Sequence, residues 1–181
     1  NGRFIDGTLG AGGHRVGILK ASAPEGRVLA FDRDPEAISF TRKRLLEYGD
    51  RVTYVNANYA EMGTLAPINE FVEVDGILLD LGLSSRQLAN GQRGFSFLKE
   101  GPLDMRYDFT SGPTAADLLN NLAETDLSDI LWRYGEVRQS RRIAKLIVDN
   151  RPFYTTTELA ELIAANFQRR GRIHPATQSF Q

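Results

Sequence analysis

Two apolar runs, RVLAFD at 27–32 and VDGILLDLG at 74–82, do not alternate with polar residues. A strand with one wet face reads apolar-polar-apolar, so runs of this kind belong to strands covered on both faces. Helix signals separate them. Asp34-Pro35 offers a cap followed by proline at the first helical position, and Ile38, Leu45 and Leu46 carry an apolar stripe on to Tyr48-Gly49. RFID (3–6) and RVTYVNA (51–57) have the same strand character, and Asn58 with Glu61 three residues on makes a capping box. This alternation predicts an α/β fold, a doubly wound parallel sheet with helices on both faces. Four strands are few for such a sheet and none follows HPATQSFQ at the end, so the sheet is expected to be incomplete at its C-terminal side. The chain also begins at Asn1, almost directly in a strand, so the lack of a targeting segment carries no weight.

Residues 4–14 read FIDGTLGAGGH, with four glycines in eight residues between the first strand and the first helix. Glycine lowers stability where nothing requires it, so this density points to backbone brought close to a ligand at a helix N-terminus. A merely tight turn is the plain alternative. The dinucleotide fingerprint G-x-G-x-x-G fails at its last position, because counting from Gly10 and Gly12 the third glycine is replaced by Arg15. What remains is an acid at the strand end, Asp6, then Gly10, Gly12, Gly13 and His14. That pattern suits a nucleoside without a pyrophosphate, such as S-adenosylmethionine. Asp32 ends the second strand 19 residues after Gly13, where a carboxylate can accept both ribose hydroxyls. Tyr59 follows the third strand and either flanks an adenine or belongs to the core. Asp80 ends the fourth, at the edge where open α/β sheets bind ligands. Ser84, Ser85 and Gln87 follow it and either hydrogen-bond substrate or cofactor or are ordinary polar loop residues.

From Ser84 to about Pro113 the chain has little period and several Gly and Pro, too long for an ordinary connection and therefore read as a functional loop or linker. Helical signals follow at 114–122, 125–135, 137–150 and 155–167, with Thr155 and Glu158 forming another capping box. The domain boundary is accordingly expected at 104/105, with a sheet domain over 1–104 and a helical domain over 105–181. Charge divides unevenly: residues 1–137 hold 14 Lys/Arg against 20 Asp/Glu, whereas 138–172 hold eight against three. The basic block, Arg138, Arg141, Arg142, Lys145, Arg151, Arg169, Arg170 and Arg172, suits a polyanion or is a solvated helix face. With no cysteine and two histidines, disulfides, cysteine nucleophiles and thiolate metal sites are excluded and no metal site is expected. No apolar run approaches about 18 residues, so no membrane span is expected.

The order FIDGTLGAGGH, AFDRDP, GILLDLGLSSRQL, RGFSF, GPLDMR, YGE…RRIA and HPATQSFQ resembles the bacterial 16S rRNA cytosine-N4 methyltransferase family, over essentially the whole chain. RGFSF with GPLDMR is the specific part; many methyltransferases share such a glycine loop. The resemblance implies a Rossmann-like class I methyltransferase sheet with an inserted all-helical domain. It also implies S-adenosylmethionine as cofactor and a cytosine of 16S rRNA in the small ribosomal subunit as target, in the cytoplasm. By motif, Gly12, Gly13, His14, Asp32, Tyr59, Asp80 and Gln87 would contact the cofactor, joined by Asp6 and Gly10 from the loop reading. Asp80, Ser84 and Ser85 are the candidate catalytic groups. Arg93, Phe95, Phe97, Asp104 and Arg106 from the long loop, and Arg141, Arg142 and Lys145 from the basic block, are the candidate RNA contacts. Two other classes stay open: a non-catalytic RNA-binding or assembly module on the same fold, and a nicotinamide-dependent enzyme. A homodimer is also left open.

Overall fold

The computed structural model describes all residues except Ala11, Gly12, Arg169 and Arg170, so the expectations for Gly12, Arg169 and Arg170 lie outside the described residues. The chain forms two compact units, Asn1–Ser84 and Ser85–Gln181.

The first unit is an α/β layer structure. Strands β1 (Arg3–Asp6), β2 (Arg27–Asp32), β3 (Val52–Asn56) and β4 (Gly76–Leu78) form one sheet in the order β3-β2-β1-β4, and every pairing is parallel. Helices α1 (Gly13–Ala21), α2 (Pro35–Arg44) and α3 (Met62–Ile68) connect them. β2 explains the unbroken apolar run. Its Val28 and Ala30 join a cluster with Leu9, Leu19 and Leu45, while Leu29 and Phe31 join Ile5, Ala66 and Phe71 in a second cluster. Successive strand residues point to opposite faces, so two clusters fed alternately by one strand mean a sheet buried on both sides. Each such Leu or Phe contributes about 1.5–3 kcal/mol by its burial.

The local signals act where the sequence places them. Asp34 Oδ1 accepts the Glu36 N–H at 2.9 Å ahead of Pro35, and Asn58 and Glu61 close their capping box around a 3-10 turn at Tyr59–Glu61. The fourth strand is shorter than the nine-residue run suggests. β1 is only four residues long and its ladder with β4 ends at Asp6↔Leu78. Asp80 therefore lies two residues beyond β4, and Ile77, Leu79 and Leu81 are exposed.

The second unit is helical: α4 (Ser85–Ala89), α5 (Ala115–Asn121), α6 (Glu124–Arg133), α7 (Ser140–Asp149) and α8 (Thr156–Asn166). Leu119, Leu127, Leu131, Ile143, Ile147, Leu159 and Ile163 meet in one core, which also takes in Leu103. That last residue corrects the expected boundary. Residues 85–104 are not a loose extension of the sheet domain but part of the helical unit. Leu103 N–H donates to Tyr154 C=O at 2.9 Å, Thr156 N–H to Gly101 C=O at 2.9 Å, and Thr156 Oγ1 to Lys99 C=O at 3.1 Å. At Gly101 a Cβ would stand 1.9 Å from the Gly91 carbonyl oxygen, so only glycine permits that approach. Arg151, one of the basic block, is spent on structure: its guanidinium donates to the carbonyls of Leu119 and Leu122 at the end of α5, where a helix leaves acceptors unsatisfied. No described helix is long and apolar enough to cross a membrane.

Candidate functional site

Asp6 ends β1, Asp32 ends β2 and Asp80 follows β4 by two residues, and all three bond to the glycine-rich turn. Asp6 Oδ1 accepts the Thr8 N–H at 2.9 Å. Asp32 Oδ2 accepts the Gly10 N–H at 2.7 Å, and its Oδ1 the Asp34 N–H at 2.9 Å. The Asp80 N–H donates to Thr8 Oγ1 at 2.7 Å, while Asp80 Oδ2 faces His14 Nε2 at 3.2 Å. The turn is held to the sheet by Leu9 N–H to Phe31 C=O at 2.8 Å and to α2 by Thr41 Oγ1 to Gly10 C=O at 2.9 Å. Tyr59 closes in from β3: a Cβ added to Gly7 would come within 3.0 Å of Tyr59 Cβ and 2.4 Å of Leu79 Cδ2.

Arg15 organises this site from below. The residue that breaks the dinucleotide fingerprint is buried with Asp6, Nη2 to Oδ1 at 2.5 Å, and the same nitrogen donates to the Thr8 carbonyl. Burial pushes the Asp6 carboxyl up, with the Arg15 charge opposing, and pushes the Arg15 guanidinium down, with Asp6, Asp32 and Asp80 opposing. Asp6 is fully buried, with its Oδ1 taken by the Thr8 N–H and by Arg15. In the sequence Arg15 stands out only as the residue that breaks the dinucleotide fingerprint. The available signal was an acid ending a strand and a cation early in the next helix.

With Asp6 and Arg15 neutralising one another, Asp32 and Asp80 leave the mouth of the turn acidic. Ionised carboxylates only accept hydrogen bonds, two lone pairs per oxygen. Each Asp32 oxygen takes one backbone donor, so each retains capacity for a ligand hydroxyl. Burial raises Asp32, against the Asp34 and Gly10 hydrogen bonds. Such a mouth fits a ligand with a diol and positive charge, and it repels a pyrophosphate. S-adenosylmethionine, with its ribose hydroxyls, sulfonium and ammonium, fits; a dinucleotide does not.

The structure therefore brings Gly10, His14, Asp32, Tyr59 and Asp80 together in the first unit, with Gly13 opening α1 and Ser84 as the last residue of that unit. Ser85 and the buried Gln87 belong to α4 of the second. The loop residues expected to touch RNA have other duties. Arg93 and Phe95 are each only 5% exposed. The Arg93 guanidinium donates to the Arg106 and Tyr107 carbonyls at 3.0 and 2.8 Å and lies over the Phe95 and Phe109 rings. Phe97 packs on His174 and Phe180. Arg106 grips Asp104 through two nitrogens, at 2.9 and 2.6 Å. RGFSF and GPLDMR are thus the folded floor of the helical unit. Arg141, Arg142 and Lys145 are exposed on α7, opposite its buried Ile143, Ala144 and Ile147. Lys145 pairs with Asp149 at 3.2 Å, and Arg142 lies over the Phe167 ring. Among the described residues no group of His, Asp and Glu could hold a metal.

These bonds set an acid response. Arg106 holds Asp104 below the usual carboxylate range, Thr114 does the same for Asp117, and the Tyr154 and Thr155 N–H groups for Glu158. A carboxyl whose folded pKa lies below its unfolded value stabilises above the unfolded value, near 4. That contribution is lost as pH falls through the folded pKa. Asp6 and Asp32 are raised and have the opposite sign. Unfolding free energy of the helical unit is expected to fall below about pH 4, with a shallower acid limb in Asp104→Asn. Denaturant unfolding across pH checks this, and an acid limb identical in the variant contradicts it.

A family model described as the MraW methylase family matches residues 1–181. Curated relatives include proteins named Ribosomal RNA small subunit methyltransferase H. That of Dehalococcoides mccartyi strain BAV1 is 51% identical over 181 residues, covering 99% of this chain and 52% of the relative. That of Geotalea uraniireducens is 47% identical over 186 residues, 99% and 60%. That of Stenotrophomonas maltophilia strain K279a is 49% identical over 185 residues, 100% and 56%. The chain spans about half the length of the curated relatives it matches.

Proposed function

We propose the function from one premise: this chain belongs to the MraW methylase family. It is part of an S-adenosylmethionine-dependent enzyme that methylates the exocyclic N4 amine of a cytosine in 16S rRNA of the small ribosomal subunit, a task of the cytoplasm. The observation that carries the reading is the glycine-rich turn ringed by Asp32 and Asp80, acceptor-rich and acidic at its mouth.

The cofactor, when bound, supplies an electrophilic methyl group on a sulfonium. Asp32 would hold its ribose diol and Tyr59 would flank its adenine. The backbone of the turn, with Gly10, Gly13 and His14, would define its place. The amine of cytosine is a poor nucleophile because its lone pair is delocalised into the ring. Asp80 answers that weakness. Its Oδ2 faces His14, and its Oδ1 accepts an amine N–H, returning electron density to nitrogen as the new bond forms and receiving the proton that leaves. Ser84 follows as a hydroxyl partner for the base. Alignment of amine and methyl adds several kcal/mol, and the target base must be unstacked to reach the site, which costs least in single-stranded RNA.

The helical unit would bind the rRNA backbone through Arg141, Arg142 and Lys145. Arg141→Glu with Arg142→Glu is expected to weaken binding to small-subunit RNA and to reduce the salt slope by about one per lost phosphate contact. A salt titration checks this, and an unchanged slope contradicts it. The reading as a whole is tested by methyl transfer from labelled S-adenosylmethionine to isolated small subunits with the full-length protein. Label in N4-methylcytosine of 16S rRNA supports it; folded, cofactor-binding protein that transfers no label favours an assembly module instead.

A further inference from the structure

Two large aromatic side chains of the helical unit stay outside its core. Trp132 is 57% exposed and Tyr134 75%, although both stand at the end of α6, whose Leu127 and Leu131 are buried. The segment that carries them is well tied. Tyr134 N–H donates to Ile130 C=O at 3.0 Å, Val137 N–H to Leu131 C=O at 3.1 Å, and Ser140 N–H to Val137 C=O at 3.0 Å, and Val137 is buried. A fixed backbone thus holds both rings in solvent, where aromatic surface is least rewarded.

The α6–α7 turn and the start of α7 add Arg133, Arg138, Arg141 and Arg142. Arg133 reaches Asp129 at 3.6 Å and Arg142 bonds Gln139 at 2.8 Å. Among the described residues Arg138 and Arg141 pair with no carboxylate. Glu136 is the one acid between Trp132 and Arg142. Arg141 and Arg142 occupy the first turn of α7, which holds no acid, although a helix N-terminus disfavours cations. Helix stability did not place them there.

Exposed rings interleaved with uncompensated arginines match single-stranded RNA. Its bases stack on flat side chains and its phosphates meet guanidinium groups. Duplex RNA offers the phosphates without the base faces, and a second copy of this chain would bring the same positive charge against itself. We infer that the α6–α7 turn is a base-stacking platform, with Trp132 and Tyr134 taking unstacked bases of single-stranded RNA and Arg138 and Arg141 their phosphates. This deepens the rRNA reading above and rests on it.

The test uses the full-length protein and a fluorescein-labelled single-stranded oligoribonucleotide of about eight nucleotides, alone and annealed into a duplex, read by anisotropy. Trp132→Ala and Tyr134→Ala are each expected to weaken single-strand binding about tenfold, with duplex binding and S-adenosylmethionine affinity unchanged. Trp132→Phe retains most single-strand affinity. Trp132 is the one tryptophan of this sequence, so single-stranded RNA is expected to quench its fluorescence on binding, and duplex RNA is not. The inference is overturned if wild type does not bind the single strand or if Trp132→Ala and Tyr134→Ala bind it as wild type does. It is also overturned if duplex binding falls equally, or if Trp132→Ala turns a dimer into a monomer, which would assign the rings to a second copy. Failure of wild type to bind S-adenosylmethionine would instead strike the methyltransferase reading and leave this measurement standing.

Discussion

Replacing Arg15 by alanine is expected to destabilise the sheet unit by about 3–5 kcal/mol, as removing one partner of a buried ion pair does. The guanidinium is paired with Asp6 in a buried site, and it also holds the Thr8 carbonyl. Without it the Asp6 carboxyl is buried unpaired and the turn loses one of its supports. The charge itself is dispensable in principle, since buried pairs replaced whole by apolar groups are often neutral in stability. Asp6→Asn with Arg15→Met is therefore expected to recover a large part of the loss. Urea unfolding followed by circular dichroism reads both effects; a single-variant loss below about 0.5 kcal/mol, within the range of ordinary surface substitutions, contradicts the assignment.

Asp80→Ala is expected to leave stability nearly unchanged and to lower the methyl-transfer rate by about 10²–10⁴-fold, the usual share of a positioned proton acceptor. The two halves of that expectation come from different observations. The side chain is 66% exposed and, among the described residues, paired only with the exposed His14, so little folding energy rests on it. Yet its backbone is pinned to Thr8 Oγ1, which fixes the carboxylate at the mouth of the turn. Single-turnover methyl transfer at saturating cofactor measures the loss, and near-normal turnover in a folded variant contradicts the role. Asp80→Asn separates charge from shape: it keeps the size and loses the proton acceptor, so it is expected to resemble the alanine variant in rate.

The sheet was legible because its signals are local and agree with one another. The RFID and RVLAFD strands, the Asp34-Pro35 cap and the Asn58–Glu61 box lie where the sequence places them. The length of β4 was not legible, because a strand ends where its neighbour's ladder ends and β1 is short. The long stretch after Ser84 misled for a related reason. Glycine, proline and lack of period read as an open loop, yet Gly101 and Thr156 press it into the helical unit through contacts 55 residues apart in sequence. Arg93 and Phe95 have the residue types of an RNA contact, and burial turned them inward; Trp132 and Tyr134 have the residue types of a core, and the turn left them outside. At the glycine loop, sequence marked Asp32, Tyr59 and Asp80 as neighbours of the turn. For Arg15 beneath it, the one signal was an acid ending a strand and a cation early in the next helix, a pattern that solvated pairs share.

The central claim is that the turn between β1 and α1, with Asp32 beside it, holds the methyl donor. Calorimetric titration of S-adenosylmethionine into the full-length protein and its Asp32→Ala variant tests it most directly. Two hydrogen bonds to an ionised acceptor are together worth about 3 kcal/mol or more, so wild type is expected to bind at one site and folded Asp32→Ala about 100-fold more weakly, with a lowered melting temperature because the Gly10 and Asp34 N–H groups lose their acceptor, and with NAD binding neither. Folded wild type that does not bind S-adenosylmethionine, or an Asp32→Ala variant that binds it equally well, would contradict the claim.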